Sequence, residues 1–396
     1  MVPNGWLNKS IDDNISFSGG SQPPRDTFKF EPSEGYIRLI QIRDYKTDKF
    51  VTYVPKHLAK KFCSKDDVMI GRYGPPIFQI LRGIEGAYNV ALIKASPKKG
   101  VDQEFMYYFL KRDDLLQIIE SYSQRTSGQT GIEMDVLKSF PMHLPPLPEQ
   151  LKIAKILSTW DKAICTTERL IDNSKQQKKA LMQQLLTGKK RLLDDSGKPF
   201  ESEWDYVRAG NIFLTRSNKK HDSDLPILAI TQDQGAIPRE FIDYNVSVTK
   251  ESISGYKVVE QGDFIISLRS FQGGIEYSRY KGICSPAYVI LYPKIKIVDA
   301  FYKYHLKSHI FIQAMKSRLE GIRDGKIISY KYFSEIKLPK PSLEEQQKIA
   351  SVLTNADKEI ELLEQQLADL KQENKALMQQ LLTGKRRVTV DEVVVA

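Results

Sequence analysis

Apolar residues recur every seven positions near the C-terminus. Ile349, Ala356, Leu363, Leu370 and Leu377 form one row, and Leu353, Ile360, Leu367 and Leu381 form a second row four residues later, with Asn374 filling its one polar place. Two rows at this spacing are the a and d positions of a coiled coil, so the stretch predicts a long helix with a partner helix. The same pattern runs earlier through Ile153, Leu157, Ile164, Ile171 and Leu185, with Lys178 at the place matching Asn374. A lone polar residue in such a seam either fixes register and partner number at a cost in stability or sits in a solvated gap near a frayed end. The sequence leaves both open.

The two stretches are copies. Ala180-Leu-Met-Gln-Gln-Leu-Leu-Thr-Gly-Lys189 recurs letter for letter as Ala376 to Lys385, an offset of 196 residues that also matches Glu149-Gln150 to Glu345-Gln346 and Asp161-Lys162 to Asp357-Lys358. A period near half the chain implies two copies of one unit, not a solenoid. The second helix opens on Ser342-Leu-Glu-Glu345, a capping box by its letters, and the first has Pro148 in its first turn. Each ends in Thr-Gly-Lys, with Gly188 and Gly384 suited to a left-handed cap and cations following. The first helix must carry the chain from an N-terminal unit to a second one, and the second helix starts from that second unit. Paired helices of this connectivity run antiparallel, each a strut roughly 57 Å long between two globular units.

Outside the helices the pattern changes to short strands and turns. Gly35 to Arg43, Asp66 to Gly74 and Asn89 to Ile93 predict strands of a first unit, and Phe105 to Glu120 has helical spacing. Gln261 to Arg269, Ala287 to Leu291 and Phe301 to Leu319 follow in the same order in a second unit. Trp6 and Trp204 stand near the start of each. The fold class is therefore α/β (α+β), with a pseudo-twofold internal repeat. Its parts are residues 1–145, a spacer helix over 146–189, residues 190–340, a second spacer helix over 341–385, and a tail over 386–396. The units diverge in their loops whereas the helices keep their letters, which suggests that the units read different targets and the struts meet one kind of partner twice.

Charge narrows the class of partner. With 59 Lys and Arg against 49 Asp and Glu, the formal charge is +10, which favours a polyanion such as nucleic acid or an anionic membrane. Cys63, Cys165 and Cys284 are too far apart for a disulfide framework or a metal knuckle, so a reducing cytoplasm is expected. The N-terminus has no signal-peptide pattern, and no stretch reaches the roughly 18 apolar residues of a spanning helix.

With those residues in view, the chain resembles the DNA-specificity subunit of type I restriction-modification systems. The resemblance rests on the two units, the Leu-Pro-Pro-Leu-Pro-Glu-Gln150 and Pro-Ser-Leu-Glu-Glu-Gln346 helix openings, and the Leu-Leu-Thr-Gly-Lys endings at Lys189 and Lys385. It covers essentially the whole chain. The Ser18-Gly-Gly20 loop also looks like the family's opening, while Thr215-Arg-Ser-Asn-Lys-Lys220 departs from it in the second unit. The resemblance implies that each unit is a target-recognition domain reading one half of a bipartite site in double-stranded DNA. It implies that the helices set the gap and dock two modification subunits, adenine N6-methyltransferases using S-adenosylmethionine, with motor-nuclease subunits joining for cleavage. S-adenosylmethionine, ATP and Mg2+ then belong to partners, and this chain has no cofactor.

The chemistry agrees with a non-catalytic role. Gly74-Pro-Pro-Ile77 lacks the leading amide or acid and the aromatic of an adenine methyltransferase motif, and Gly321 to Lys326 is one residue short of a phosphate loop. His305 and His309 lie four apart without a zinc-protease glutamate and read as surface or half-buried helix residues. Asp324, Glu335 and Lys337 resemble a nuclease's acid pair and lysine, so an enzyme with its own metal-dependent nuclease centre remains an alternative, as does a coiled-coil interaction protein. For DNA reading, Lys and Arg neutralise phosphates while Arg, Asn and Gln read base edges. Candidates are Arg43, Arg72, Tyr73, Arg82, Gln129 and Thr130 in the first unit. In the second they are Arg216, Lys219, Gln232, Arg269, Gln272, Arg279, Arg323 and Lys326.

Overall fold

The computed structural model describes residues 2–123, 131–221, 224–242, 253–317 and 329–390. The chain forms two compact units: Met1–Thr167 with Gln366–Ala396, and Glu168–Gln365. Each unit therefore holds one globular head, half of one long helix and half of the other. The long helices are Leu147–Leu185 and Leu343–Leu381, 39 residues each. Within each unit their segments run antiparallel, because pairing climbs one helix as it descends the other: Glu149 meets Arg387 and Asp161 meets Asn374 in the first unit, and Lys178 meets Asp357 and Arg191 meets Glu345 in the second.

Both heads are built on the same four-stranded antiparallel sheet. Its order in the first is Ile15–Gly19, Leu92–Pro97, Val68–Gly71, Ile80–Leu81, and in the second Phe213–Arg216, Val289–Pro293, Phe264–Ile266, Glu276–Tyr277. The middle strands are apolar on both faces, as strands covered on both sides must be: Val68, Met69 and Ile70, like Phe264, Ile265 and Ile266, are almost wholly buried. A smaller sheet lies beyond. In the first head Tyr53–Pro55, Tyr36–Ile40, Gly86–Tyr88 and Phe62–Cys63 form it, with one parallel pair. The second head has two separate pairs there, Leu228–Thr231 with Gly235–Pro238 and Lys257–Val259 with Gly282–Cys284.

Several expected elements shift. The strand from Gly35 stops at Ile40, because Gln41 and Asp44 close a capping box that turns Ile42–Tyr45 into a 3-10 helix carrying Arg43. The Asn89 strand begins at Leu92, since the Asn89 side chain accepts from the Ala91 amide and holds a turn. Each expected head helix is two helices: Gln103–Leu110 and Asp113–Ser123, then Asp299–His305 and His309–Lys316. Side chains start new helices inside the apolar run, as where Ser308 accepts from the Phe311 amide. His305 is not a surface residue: it is 5% exposed and stacked on Phe301, whereas His309 is exposed.

The first halves of the helix motifs fold as their letters indicate. Gly188 and Gly384 take φ of 71° and 68°, the left-handed cap. Ser342 caps the second helix by accepting from the Glu345 amide, but Glu345 does not return the bond. Its carboxylate is engaged elsewhere.

Candidate nucleic-acid interface

Each long helix opens on a buried acid held by two partners. In the first unit Trp6 donates its indole N–H to Glu149 Oε2 at 3.0 Å, and Arg387 grips the same carboxylate through Nε and a terminal nitrogen at 2.7 and 2.8 Å. In the second, Trp204 donates to Glu345 at 2.9 Å and Arg191 grips it at 2.6 and 2.9 Å. Each arginine also lies over its tryptophan ring, 5.7 and 5.8 Å from the ring centre. Planar two-point pairing of guanidinium with carboxylate is the strongest such geometry, and a carboxylate in the first turn also gains from the helix dipole. The next residue finishes the joint. Gln150 accepts from the Asp102 amide and donates to the Gly100 and Pro145 carbonyls, and Gln346 accepts from the Val298 amide and donates to the Pro341 carbonyl.

These contacts account from within each unit for the repeated Glu-Gln pair that opens each helix. Other repeated residues stay exposed in both copies, among them Lys162, Gln183, Gln184 and Lys189, with Lys358, Gln379, Gln380 and Lys385.

The polar seam residues are paired, not frayed. Asn374 is 8% exposed and donates to Asp161 at 3.1 Å. Tyr108 donates to the same carboxylate at 3.0 Å, and Lys111 approaches it at 3.6 Å. In the second unit Lys178 pairs with Asp357, to which Tyr304 donates at 2.6 Å. Ile153, Leu157, Leu185, Ile349, Leu353, Ile360 and Leu381 are buried along the seam, while Ile164 and Leu367 are half-buried.

The candidate DNA-reading residues divide into those paired with an acid inside their heads and those carried on loops. Arg82 is bound to Glu104 at 2.7 and 2.8 Å and lies 3.8 Å above the Tyr107 ring. Arg216 pairs with buried Asp263 at 3.0 Å over the Tyr292 ring. Both guanidinium groups are committed inside their heads. Arg43 is exposed in the 41–52 connection of the smaller sheet. Arg72 and Tyr73 follow the middle strand of the main sheet, with the guanidinium 5.2 Å from the ring centre and Tyr73 bridged to Gly131. Ile42 brings these two loops together: a Cβ on Gly71 would lie only 3.3 Å from its Cδ1.

The second head makes the same juxtaposition with different letters. Gln232, the first residue of the 232–234 connection, donates to the Arg269 carbonyl at 3.4 Å, and the Gln272 amide donates to that carbonyl at 2.8 Å. Lys307 reaches the Gln232 carbonyl at 2.7 Å and buried Glu276 at 2.5 Å. Burial pushes the Glu276 carboxyl up to about 7 although Lys307 opposes the shift, and burial pushes Asp263 up to about 6. Lys219 and Arg279 are exposed. Gln129, Thr130, Arg323 and Lys326 lie outside the described residues, as does Asp324. Glu335 and Lys337 line an open cavity of about 620 Å³ with Arg208, and among the described residues no group of three His, Cys, Asp or Glu is placed to hold a metal ion.

The loop glycines have a packing role. A Cβ on Gly20 would fall 1.9 Å from the Asn89 carbonyl oxygen, so only glycine lets that loop cross the adjacent turn. Sequence reasoning missed Lys307 and the tryptophan–glutamate–arginine joints. Arg191 and Arg387 share the offset of 196, which was the available signal for the joints.

Comparison with known proteins follows the same division. The model of the type I restriction modification DNA specificity domain matches residues 3–174 and again 201–372. The MjaVIII type I restriction enzyme specificity subunit of Methanocaldococcus jannaschii is 28% identical, over 98% of this chain and 94% of its own length. A second protein of that organism, the putative MjaX specificity subunit, is 29% identical over 80% and 74%. Two solved structures share the fold: the type I restriction-modification S subunit from M. genitalium, with a TM-score of 0.57 at 16% identity over 96% of this chain and 99% of that one, and the HsdS subunit from Thermoanaerobacter tengcongensis, with 0.51 at 18% over 97% and 98%. Two copies of the domain, each spanning a head and most of the long helix that follows it, place this chain in the family of type I restriction-modification DNA specificity subunits.

Proposed function

We propose that the chain is a non-catalytic reader of double-stranded DNA in which each head recognises one half of a split site. The observation that carries this is the repeated framework with divergent tips: one sheet, in one strand order, leads into Arg72 and Tyr73 in the first head and Arg269 and Gln272 in the second, and the smaller strands bring the loops of Arg43 and Gln232 beside them. Side chains with guanidinium and amide forks suit base edges in the major groove, and the surrounding cations suit phosphates. The helix pair is the spacer that sets the gap between half-sites. Its exposed repeated residues, Gln183, Gln184, Lys189 and their counterparts, are candidates for docking two modification subunits that methylate adenine with S-adenosylmethionine. Motor-nuclease subunits, ATP and Mg2+ complete a restriction complex, and its compartment is the cytoplasm. None of the helices among the described residues is long and apolar enough to cross a membrane.

The spacer role is tested by lengthening. Seven residues inserted in each long helix, after Arg169 and after Gln365, add about 10 Å or roughly three base pairs. Methylation mapping of the complex with its modification subunit is expected to give the same half-sites with a longer gap. An unchanged gap would refute the spacer.

A further inference from the structure

The first head carries a longer connection than the second at one matched place. Strands Tyr36–Ile40 and Tyr53–Pro55 are joined by residues 41–52, whereas the matching strands Leu228–Thr231 and Gly235–Pro238 are joined by residues 232–234 alone. The longer connection is braced throughout. Gln41 and Asp44 form a capping box, Gln41 donates to Thr52 at 3.1 Å, Arg38 pairs with Asp48 at 2.8 Å, and the Lys49 amide donates to Thr47 at 3.2 Å. The connection carries Phe50, 51% exposed, with the Arg43 guanidinium 5.7 Å and the Lys49 ammonium 5.5 Å from its ring centre. Arg43 also donates to the Phe50 carbonyl at 3.3 Å.

Burial does not account for this arrangement. A half-exposed phenyl ring gains little from its own head, and a loop held by so many polar contacts is not a random coil whose side chain happens to face water. Phe30 is more exposed, at 74%, but among the described residues no cation lies over its ring. A rigid aromatic tip between two cations matches a stacked base step flanked by phosphates: apolar wedges enter such steps and partly unstack them, while neighbouring cations hold the backbone. We propose that Phe50 is a base-stacking wedge of the first head, so that the half-site read by that head is unstacked at one step besides the adenines that methylation takes out of the helix. This rests on the DNA-reading function proposed above.

The test uses the complex of the full chain with its modification subunit and a duplex containing the mapped split site, with 2-aminopurine substituted in turn through both halves. Binding by the parent complex is expected to raise the fluorescence several-fold at the target adenines and at one further step in one half only. Phe50→Ala is expected to abolish that further rise and weaken binding at least tenfold, while Phe50→Trp retains both, and an unchanged thermal melt shows that Phe50→Ala still folds. Tight parent binding with no further rise in either half, or a further rise that survives in Phe50→Ala, overturns the wedge and leaves the reading function standing. Failure of the parent complex to bind the duplex overturns both.

Discussion

The two heads share a framework yet differ at matched positions, and the differences show which parts of the repeat are structural. At the offset of 196, buried His305 faces the place of Phe109 and buried Glu276 the place of Ile80. The first head fills these sites with hydrocarbon, whereas the second holds an imidazole on Phe301 and a carboxylate on Lys307. By contrast the joints at Glu149 and Glu345 are the same down to the atoms that meet. Frameworks repeat where a substitution would leave a buried charge alone. They drift where one apolar or locally satisfied side chain can stand for another.

The largest expected effect comes from breaking a joint. Glu345→Ala strands Arg191 and the Trp204 N–H, and loss of one member of a buried pair costs roughly 3–5 kcal/mol. Glu149→Ala is expected to cost less, because Arg387 is 43% exposed against 23% for Arg191 and can turn to water. Denaturant melts of the two variants check the order. Equal losses would mean that the tryptophan contacts, not the guanidinium pairs, dominate.

Acid sharpens the contrast between heads. Burial holds His305 down at about 4, below the usual 6.5. A base whose folded value is lowered binds fewer protons when folded, so its contribution to stability is lost as pH falls from about 6.5 towards 4, by up to roughly 3 kcal/mol. Glu276 and Asp263, raised by burial, work in the other direction and cost stability as pH rises from the ordinary carboxylate range to about 7 and 6. The clean comparison is therefore His305→Phe, which copies Phe109, against the parent. The variant is expected to melt more evenly between pH 6.5 and 4.5, and an unchanged pH profile would show that the imidazole does not set it.

Smaller effects are expected in the seam. Lys178 and Asp357 are 25% and 34% exposed, so Lys178→Leu should cost about 1 kcal/mol or less. Asn374→Leu removes a donor to Asp161, yet adds apolar surface at a buried place, so it should leave stability nearly level while loosening register. Methylation maps would then show mixed gap lengths for Asn374→Leu. A single gap length would show that Tyr108 and Lys111 hold the register without it.

Much of this was legible in the letters. The seven-residue rows, the exact copy around Leu185 and Leu381 and the left-handed glycines predict the helices, because helix pairing and capping are local rules. The strand edges were less legible: Gln41 with Asp44, and the Asn89 side chain, end strands through bonds that compete with the sheet. The interface was the least legible. Arg82 and Arg216 read as free cations, but Glu104 and Asp263, distant in sequence, hold them. No periodicity reports such a partner, and none marks Phe50 as braced.

Independence of the two heads is tested most directly by methylation mapping of genomic DNA after co-expressing the modification subunit with either the parent chain or an Arg269→Ala, Gln272→Ala variant. The account predicts a split adenine-methylated motif that requires this chain, and a variant motif relaxed in one half with the other half and the gap unchanged. A motif that degrades in both halves together, or one that appears without the chain, would contradict it.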